Sequence, residues 1–513
     1  MPYLLGIDGG TESLRAALFD PRGRPVAFAS SAYPTRFPRP GWAEQDPGDW
    51  WRALGEATRR VLRGSGVSPD EVLALALDTT SCSVVALDAR GEPVRPALIW
   101  MDVRSGEQAA RIAACGDPAL RVNGYGPVSA EWMAPKALWL LENERANFDA
   151  AVTLCEYQDY LNLHLTGRLT ASLNNTSIRW HYDRSRGGFQ TGLYRAVGLE
   201  EALARFPHEV VPMGEMIGGL TRRASEHLGL RAGTPVVQGG ADAFVAMPGL
   251  GVVEPGSLAF ITGSSHLHLG LSDRELSARG MWGSYPDAVV PGLHVVEGGQ
   301  TSTGSVVAWL RRLLGEGASY EELGERASAL PPGADGLVVL EHFQGNRTPH
   351  TDPDSRGVIS GLTLAHTPAH LFRAVLEGVA YGTEDVLSAM RAGGYEPRRV
   401  VVCGGATRSE LWLQIHADVS GLPLELTEVP DAPALGSAVL AAVGAGEYAS
   451  IPEAARAMVR SARTVEPDAE RHVRYRELLD AYRETYRALA PTLHRQAAVA
   501  REGTLPEPET APA

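Results

Sequence analysis

The sequence predicts an α/β protein made of two similar lobes, and three observations support this prediction. Residues 3–20 form an apolar strand, a Gly-rich turn and a second strand, and the same order returns at residues 257–271. Residues 400–405 form another apolar strand, which ends in a glycine pair before a helical segment. A strand of this last kind is typical of a parallel sheet that binds ligands at its strand ends.

The rest of the chain alternates predicted strands and helices. With 513 residues it is long enough for two large domains with ample core. Further strands are predicted at residues 25–29, 72–78, 83–87 and 234–240, a helix at 47–63, and a mainly helical region at 107–205.

The boundary between the two lobes is predicted near residues 248–255. We therefore expect an N-terminal lobe at 1–248, a C-terminal lobe at 249–490 and a disordered tail at 491–513. The end of this tail is rich in Pro and Glu, a composition that buries too little apolar surface to fold alone.

The charge of the chain bears on its partners. Lysine and arginine number 47 against 61 acidic residues, which gives a net charge of −14. That sign disfavours a partner with a phosphate backbone or an anionic membrane surface. Any anionic ligand must then be bound by backbone amides, a metal ion or a few isolated cations.

Cysteine and lysine usage is also informative. The four cysteines are widely spaced and form no CxxC pair, which argues against a zinc site and a disulfide framework. Lys136 is the only lysine in the chain. The sequence shows no signal peptide and no apolar segment of membrane-spanning length, so we expect a cytoplasmic protein.

Three turns at strand ends are candidates for phosphate binding. They are residues 8–11 (DGGT), 262–265 (TGSS) and 404–407 (GGAT). Glycine lets the backbone approach closely and adopt positive φ, so such turns can direct N–H groups and hydroxyls at phosphate oxygens. Each turn taken alone is equally compatible with a tight hairpin.

Two aspartates follow apolar strands. Asp8 is a candidate Mg²⁺-associated acid, because a hydrated Mg²⁺ needs few carboxylate ligands, although turn capping would leave the same pattern. Asp242 follows a buried strand and the glycine pair at 239–240. It could accept a hydroxyl proton as a general base, and a helix N-cap would look the same in sequence.

Several motifs, in this order, resemble the FGGY carbohydrate kinases over roughly residues 3 to 490. They are GIDGGT at 6–11, PGWAEQDP at 40–47, APKALWL at 134–140, Asp242, TGSS at 262–265 and the glycine pair at 404–405. Residues 357–362 (GVISGL), with residues 370–377 (HLFRAVLE), resemble the C-terminal signature of the family. The family has two actin-like, ribonuclease H-like lobes of the sugar kinase, chaperone and actin superfamily, with ATP and sugar bound in the cleft between them.

The resemblance implies roles for individual residues. It places Asp242 at the catalytic base and Asp8 at the Mg²⁺-associated acid of the first phosphate loop. The residues implied to line the nucleotide, with Mg²⁺, are Asp8, Gly10, Thr11, Thr262, Gly263, Ser264, Gly304, Gly404, Gly405 and Ser409. Some relatives have asparagine in place of Ser409. Lys136 falls at the lysine of the N-terminal signature, and we expect it to be structural.

Within the family the chain looks most like the ribulokinase-type branch. The motifs that indicate this are residues 345–349 (GNRTP) and 296–300 (VEGGQ), with weaker support from residues 79–83 (TTSCS). This branch implies that Ser81, Arg179 and Glu297 approach the sugar beside Asp242. Relatives typically have lysine at position 179, so the arginine reflects either a general drift to arginine or a changed pocket.

The predicted activity is ATP-dependent phosphorylation of ribulose to ribulose 5-phosphate. The alternatives are a kinase for xylulose, ribitol or another short polyol, and a nucleotide-dependent actin-like ATPase or scaffold. Fold analogy alone does not separate them. The expected ligands are MgATP and a small sugar, without nucleic acid or membrane, and a homodimer is possible.

Overall fold

The computed structural model describes residues 2–126, 128–315 and 317–502. The strands of the first half are β1 Tyr3–Gly9, β2 Ser13–Phe19, β3 Pro25–Ala32, β4 Glu44–Gln45, β5 Val72–Thr79, β6 Val84–Leu87, β7 Ala97–Leu98, β8 Thr153–Glu156, β9 Ala171–Ser172, β10 Tyr182–Asp183, β11 Gly188–Phe189, β12 Val210–Val211, β13 Met216–Gly219 and β14 Pro235–Val237. Its helices are α1 Pro47–Ser65, α2 Gly106–Ala114, α3 Met133–Asn143, α4 Arg145–Ala150, α5 Tyr157–Thr166, α6 Leu173–Arg179, α7 Thr191–Ala196, α8 Glu200–Leu203, α9 Arg222–Leu228 and α10 Asp242–Gly249.

The second half continues the alternation. Its strands are β15 Ser257–Thr262, β16 His266–Ser272, β17 Trp282–Pro286, β18 His294–Gln300, β19 Val338–Leu340, β20 Val358–Ser360, β21 Arg399–Gly404, β22 Leu424–Thr427 and β23 Ser461–Val465. Its helices are α11 Gly304–Leu314, α12 Tyr320–Ser328, α13 Pro368–Ala392, α14 Glu410–Ser420, α15 Ala432–Gly444, α16 Ile451–Met458 and α17 Ala469–Glu502.

The two main sheets repeat one topology, which confirms the predicted duplication. The first has the order β13-β14-β5-β1-β2-β3 and the second has the order β17-β18-β16-β15-β21-β22-β23. In both, three strands form an antiparallel meander, two parallel strands follow, and an antiparallel strand closes the edge. Strand β17 is an addition at the outer edge of the second sheet.

Each sheet is covered on both faces, as the apolar strands predict. On β1, Leu5 and Ile7 pack with α1, whereas Leu4 faces α10 and α15. On β15, Phe260 packs with α13 and α14, whereas Ala259 faces α10 and α15. The inner faces of both sheets therefore meet on one pair of helices, which lies between the lobes.

Helices α10 and α15 approach closely because small residues form the contact. A β-carbon added to Gly436 of α15 would overlap the Val245 carbonyl oxygen of α10, and one added to Gly249 of α10 would overlap the Ala432 carbonyl oxygen. A β-carbon added to Gly6 of β1 would similarly overlap the Ala434 carbonyl oxygen. These contacts fix α15 against the first sheet although it lies late in the chain.

Residues 491–502, which the sequence analysis assigned to a disordered tail, continue α17. The helix persists because Leu493 and Ala497, four residues apart, are both buried against the C-terminal lobe. Residues 503–513 of the predicted tail lie outside the described residues. Nowhere in the described ranges is a helix both long and apolar enough to cross a membrane.

We predict that Gly436→Ala destabilises the protein. The added methyl group has to push α10 away from α15, and overpacking of this kind costs about 1–3 kcal/mol. Urea unfolding followed by circular dichroism measures this change in the free energy of unfolding.

Gly64→Ala is the matched control, because Gly64 lies in α1 with no atom near its missing β-carbon. There the same methyl group should stabilise the helix by about 0.5–1 kcal/mol. If Gly436→Ala were as stable as the Gly64→Ala protein, the close helix contact would be refuted.

Candidate active site

Two carboxylates lie at the same edge of the first sheet. Asp8 of β1 is paired with Asp78 of the parallel strand β5, so both strands deliver an acid at the end where they meet the cleft. Asp78 is fully buried and accepts a hydrogen bond of 2.8 Å from the Ser437 hydroxyl of α15. Asp8 is half-buried, and its carboxylate lies 3.4 Å from Arg15.

Asp242 is brought to this edge by α10. The backbone N–H of Thr79, at the end of β5, donates to the Gly240 carbonyl at 3.2 Å, which ties the start of α10 to the sheet. The N-cap of α10 is Ala241, so Asp242 is the first residue of the helix and not its cap. Its carboxylate accepts a hydrogen bond of 2.7 Å from the N–H of Ala243 and stays partly exposed.

A fourth carboxylate and one arginine complete the cluster. Asp431 occupies the N-cap position of α15 and forms a salt bridge with Arg15 of β2. Burial, together with the charges of Asp242 and Asp431, raises the pKa of Asp8 to about 7. Burial also raises the pKa of Asp242 to about 6, so its carboxylate is mainly ionised at neutral pH.

The cluster fits a hydrated Mg²⁺ better than a directly coordinated metal. No three His, Cys, Asp or Glu side chains within the described ranges converge closely enough to hold an ion together. One buried oxygen each of Asp78 and Asp431 has no hydrogen-bond partner, and burial, with the charges of Asp242 and Asp431, raises the pKa of Asp8. Mg²⁺ keeps most of its water ligands and suits such a set of acids.

The first phosphate turn joins β1 to β2. The N–H of Gly10 donates to the Ser13 carbonyl at 3.1 Å, which closes the turn. The hydroxyl of Thr11 accepts from the Trp100 indole N–H at 2.9 Å. Both residues remain partly exposed beside Asp8, as the sequence predicts for a loop open to a ligand.

The second phosphate turn lies between β15 and β16, and residues 263–265 are exposed. The Thr262 hydroxyl is used within the fold: it donates to the Cys403 carbonyl at 2.6 Å and accepts from the N–H of Ala406 at 3.0 Å. The N–H of Gly304 donates to the Gly263 carbonyl at 3.1 Å. The N–H of Gly263 donates within the turn, to the Ser265 carbonyl at 2.9 Å, so the turn offers the N–H of Ser264, and Thr262 holds it to the third turn.

The third turn follows β21. Gly404 has φ 92°, and a β-carbon there would overlap the Thr262 carbonyl oxygen, so both conformation and space require glycine. Gly405 is exposed and faces open space. Ser409 is the N-cap of α14, and its hydroxyl accepts from the Trp412 N–H at 3.3 Å. The second and third turns thus form one surface of the C-terminal lobe, whereas the first turn belongs to the N-terminal lobe.

Arg179 and Glu297 form a buried ion pair across the cleft. Arg179 ends α6 of the N-terminal lobe, and its Nη2 lies 2.9 Å from Oε1 of Glu297 on β18. The Tyr285 hydroxyl donates to Oε2 of the same carboxylate at 3.2 Å, and Arg347 forms a salt bridge with Oε1. Despite burial, the two arginines lower the pKa of Glu297.

Two tryptophans enclose this ion pair. The Arg179 guanidinium lies 5.4 Å from the ring centre of Trp132 and 5.1 Å from that of Trp282. The Arg347 guanidinium also lies over Trp282, 3.5 Å from its ring centre. Aromatic faces and paired charges of this kind suit a small polyhydroxyl ligand.

Ser81 lies on a turn after β5 that a buried network supports. Cys82 has φ 67°, and its carbonyl accepts from Lys136 Nζ at 2.8 Å. Lys136 also donates to the Ile99 carbonyl at 2.6 Å, which makes the lysine structural, as predicted. Glu156 accepts from the N–H groups of Cys82 at 3.1 Å and of Ser83 at 2.9 Å.

The same network reaches Arg179. The Trp180 indole N–H donates to Glu156 at 2.8 Å, so the Ser81 turn and the end of α6 share one carboxylate. At the start of α6, Asn174 accepts from the N–H of Ala241 at 2.9 Å, beside Asp242. The predicted sugar residues are therefore linked to the predicted base through α6, not by direct contact.

Some site residues escaped sequence reasoning. Asp78 was detectable, because it follows an apolar strand in the same way as Asp8. Arg15 and Asp431 carry no comparable signal, since each has its partner on another element, and Arg347 lies in the GNRTP motif at 345–349, which does not reveal its pairing with Glu297.

Several aromatic and histidine side chains serve the core. His266 and His268 share one face of β16, and both pack around Phe260 in the core. Trp50, Tyr475 and Tyr482 are buried packing residues, and all four cysteines are unpaired.

Comparisons with known proteins agree with this geometry. The N-terminal domain model of the FGGY family of carbohydrate kinases matches residues 3–249, and its C-terminal domain model matches residues 258–445. A ribulokinase from Geobacillus thermodenitrificans is 34% identical, covering 94% of this chain and 93% of that protein. A human FGGY carbohydrate kinase domain-containing protein is 32% identical, covering 91% of this chain and 92% of that protein.

A solved structure gives the same result for the fold. The xylulose kinase from Rhodospirillum rubrum superposes with a TM-score of 0.85 at 30% identity, covering 96% of this chain and 100% of that chain. The two-lobed architecture and the cleft therefore belong to a known class of kinase structures.

We predict that Lys136→Met destabilises the protein by about 3 kcal/mol. The change leaves the buried carbonyls of Cys82 and Ile99 without their charged donor, and unsatisfied buried groups are costly. Urea unfolding gives the free energy of unfolding.

Arg52→Met on α1 provides the comparison, because Arg52 is exposed, forms ion pairs with Asp49 and Glu56 on the same helix, and makes one long hydrogen bond of 3.5 Å to the Ala32 carbonyl. Its loss should cost less than about 1 kcal/mol. Similar small losses in both variants would contradict a supporting role for Lys136.

Proposed function

Because the chain belongs to the FGGY family of carbohydrate kinases, we propose that it transfers the γ-phosphoryl group of ATP to a ketopentose, with ribulose as the preferred acceptor. The product is ribulose 5-phosphate. The observation that carries this proposal is the position of Asp242, an ionisable acid at the start of α10. Asp242 lies at the sheet edge that carries Asp8, and the preceding residue, Ala241, is hydrogen-bonded to α6. Similarity to ribulokinases over most of the chain supports the choice of sugar.

Phosphoryl transfer of this kind depends on positioning more than on covalent chemistry by the protein. In the proposed arrangement the sugar lies between Asp242 and the Arg179–Glu297 pair, with Ser81 at its side. Asp242 accepts the proton of the attacking hydroxyl. Its pKa of about 6 suits a general base at neutral pH, because the group is ionised yet still basic.

ATP is proposed to lie on the second and third turns, in the C-terminal lobe. The exposed N–H of Ser264 can donate to phosphate oxygens, and Gly405, which faces open space, allows close approach, whereas Gly304 and Gly404 pack against the backbone of the second turn. Gly10 and Thr11 face the phosphates from the other lobe. Asp8 is the residue proposed to hold the hydration shell of Mg²⁺, which when bound neutralises phosphate charge.

We also propose the lobe boundaries, the location and the ligands of the chain. We retain 1–248 as the N-terminal lobe and 249 as the start of the C-terminal lobe, because α10 ends at Gly249 and β15 begins at Ser257, and α17 extends the C-terminal lobe from 490 to 502. The four unpaired cysteines suit a cytoplasmic location. A small sugar and MgATP are the proposed ligands, without nucleic acid or membrane, and a homodimer stays a prediction of the family resemblance.

A second candidate acceptor is xylulose. It is favoured by the 30% identity and full-length superposition with the Rhodospirillum rubrum xylulose kinase. Xylulose differs from ribulose in the configuration of one hydroxyl, so the pocket at Arg179 and Glu297 decides between them. Ribitol and other short polyols, and a sugar-independent actin-like ATPase, are the remaining alternatives.

The test of the proposed function is ADP release from MgATP with D- and L-ribulose, D- and L-xylulose, ribitol, erythritol and glycerol, each against a blank without sugar. We expect one ribulose isomer to give the highest kcat/KM. A higher value for xylulose would select the second candidate. Turnover that no sugar raises above the blank would refute the kinase proposal and favour the ATPase.

We predict that Asp242→Asn lowers kcat by about 10²–10⁴ while the fold and ATP binding are retained, because only proton removal is lost. In the wild-type protein, kcat/KM for the sugar should fall as the pH is lowered through about 6, where Asp242 becomes protonated. The variant should lack this dependence.

Steady-state kinetics between pH 5 and 9 and circular dichroism provide the measurements. Asp273→Asn is a suitable control, because Asp273 is an exposed residue just after β16. It should have wild-type kinetics. Near wild-type turnover of Asp242→Asn would exclude this residue as the base.

A further inference from the structure

We propose that Arg347 is a positioning residue for the sugar, which holds the Glu297 carboxylate in place while Arg179 is released to the substrate. This inference rests on the proposed function, since it concerns the same pocket. Neither the turn motifs nor the acidic cluster involves Arg347, which lies in the loop between β19 and β20.

The Glu297 carboxylate already accepts hydrogen bonds from three side chains. The carboxylate is fully buried. Arg179 donates to both oxygens, at 2.9 Å and 3.1 Å from Nη2, and Tyr285 donates to Oε2 at 3.2 Å. Arg347 adds a further charged donor to Oε1. A sugar hydroxyl that enters here has to replace one of these donors.

The two arginines reach Glu297 from different lobes. Arg179 belongs to α6 of the N-terminal lobe, whereas Arg347 and Glu297 both belong to the C-terminal lobe. The Arg179–Glu297 pair therefore spans the cleft, and the Arg347–Glu297 pair lies within one lobe. When the sugar separates Arg179 from Glu297, Arg347 is the cation that stays.

Arg347 is itself fixed in place. Its guanidinium stacks 3.5 Å from the ring centre of Trp282 on β17. The adjacent residue Thr348 bonds to Gly299 of β18 in both directions, with N–H to carbonyl and N–H to hydroxyl distances of 3.2 Å each. The loop is thus attached to the strand that carries Glu297, two residues away.

Arg347 also has an unused donor. Its Nε is buried and has no hydrogen-bond partner, although the guanidinium is bound to Glu297 through Nη2. Burying such a group without a partner is unfavourable. A hydroxyl of the sugar would satisfy it, so Arg347 can both hold Glu297 and contact the substrate.

The charge of Glu297 depends on this arginine. Burial by itself favours the protonated acid, and the charges of Arg179 and then Arg347 reverse this and lower the pKa of Glu297. The groups that face the carboxylate are Arg179 from α6, Arg347 from the loop and Tyr285 from β17. On the neighbouring strand β16, burial and the charge of Arg347 keep His268 neutral.

The test compares Arg347→Met and Arg347→Lys with the wild-type protein. We measure kcat and KM for the preferred ketopentose and KM for ATP between pH 5 and 9. Arg347→Met should raise KM for the sugar about tenfold or more, because it removes a charge-assisted bond, and leave KM for ATP within about twofold.

The pH profile separates positioning from a general loss of structure. Without Arg347 the pKa of Glu297 rises, so protonation of Glu297 should steepen the acid limb that Asp242 gives to kcat/KM for the sugar. Arg347→Lys keeps the charge and should restore most of the wild-type pH profile, although it loses the stacking on Trp282. Arg326→Met on α12, an exposed arginine paired only with Glu322, is the control and should change nothing.

Opposite results would overturn the inference. An unchanged KM for the sugar and an unchanged acid limb in Arg347→Met would show that Arg347 does not position Glu297. If Arg347→Met fails to fold, Arg347→Lys provides the test. If Arg347 were merely structural, Arg347→Lys would change KM for the sugar and KM for ATP to the same extent, and this result would overturn the inference.

The outcome is separable from that of the proposed function. Sugar binding without ATP can be followed by the fluorescence of Trp282 and Trp132, which flank the pair. If the wild-type protein phosphorylates no ketopentose, the proposed function fails, and this binding assay still decides the role of Arg347. If ketopentose turnover is normal and Arg347→Met binds sugar as tightly as the wild type, only the inference fails.

Discussion

The close contact between α10 and α15 determines where the active site forms. Both sheets place their inner faces on this pair of helices, and glycines at the contact leave no room for side chains between them. Asp242 starts one helix and Asp431 precedes the other, so the contact brings two carboxylates to the ends of β1 and β5. Helix N-termini favour negative charge, which makes this accumulation of acids tolerable.

The pairing of arginines with acids at the cleft affects how an anionic ligand can be bound. Three arginines among the described residues of the cleft are already bound to carboxylates: Arg15 to Asp431, and Arg179 with Arg347 to Glu297. In a chain of net charge −14, an anionic ligand then depends on backbone N–H groups and on a divalent cation. The three glycine turns supply the first, and the acids at the sheet edge suit the second.

The sequence predicted the site residues that a local pattern marks, but it did not predict pairs between residues far apart in the chain. Asp8 and Asp242 each follow an apolar strand, and the glycine turns lie at strand ends, so pattern alone located them. The bond between Arg347 and Glu297 joins residues 50 positions apart, and the Arg15–Asp431 pair joins residues 416 positions apart. Only the packing of the two lobes creates such pairs. The helix over residues 491–502 was missed because two buried side chains, Leu493 and Ala497, outweigh a polar composition.

The late position of α15 in the chain has a consequence for biosynthesis. This helix covers one face of the first sheet, yet it begins at residue 432, long after the strands it covers. At ribosomal rates of about 5–20 residues per second, roughly 10–40 s pass between the synthesis of α10 and that of α15. During this interval the part of the inner face of β1 and β5 that α15 covers is exposed on the nascent chain. The cover of the N-terminal lobe is therefore completed only when the C-terminal part of the chain has been synthesised.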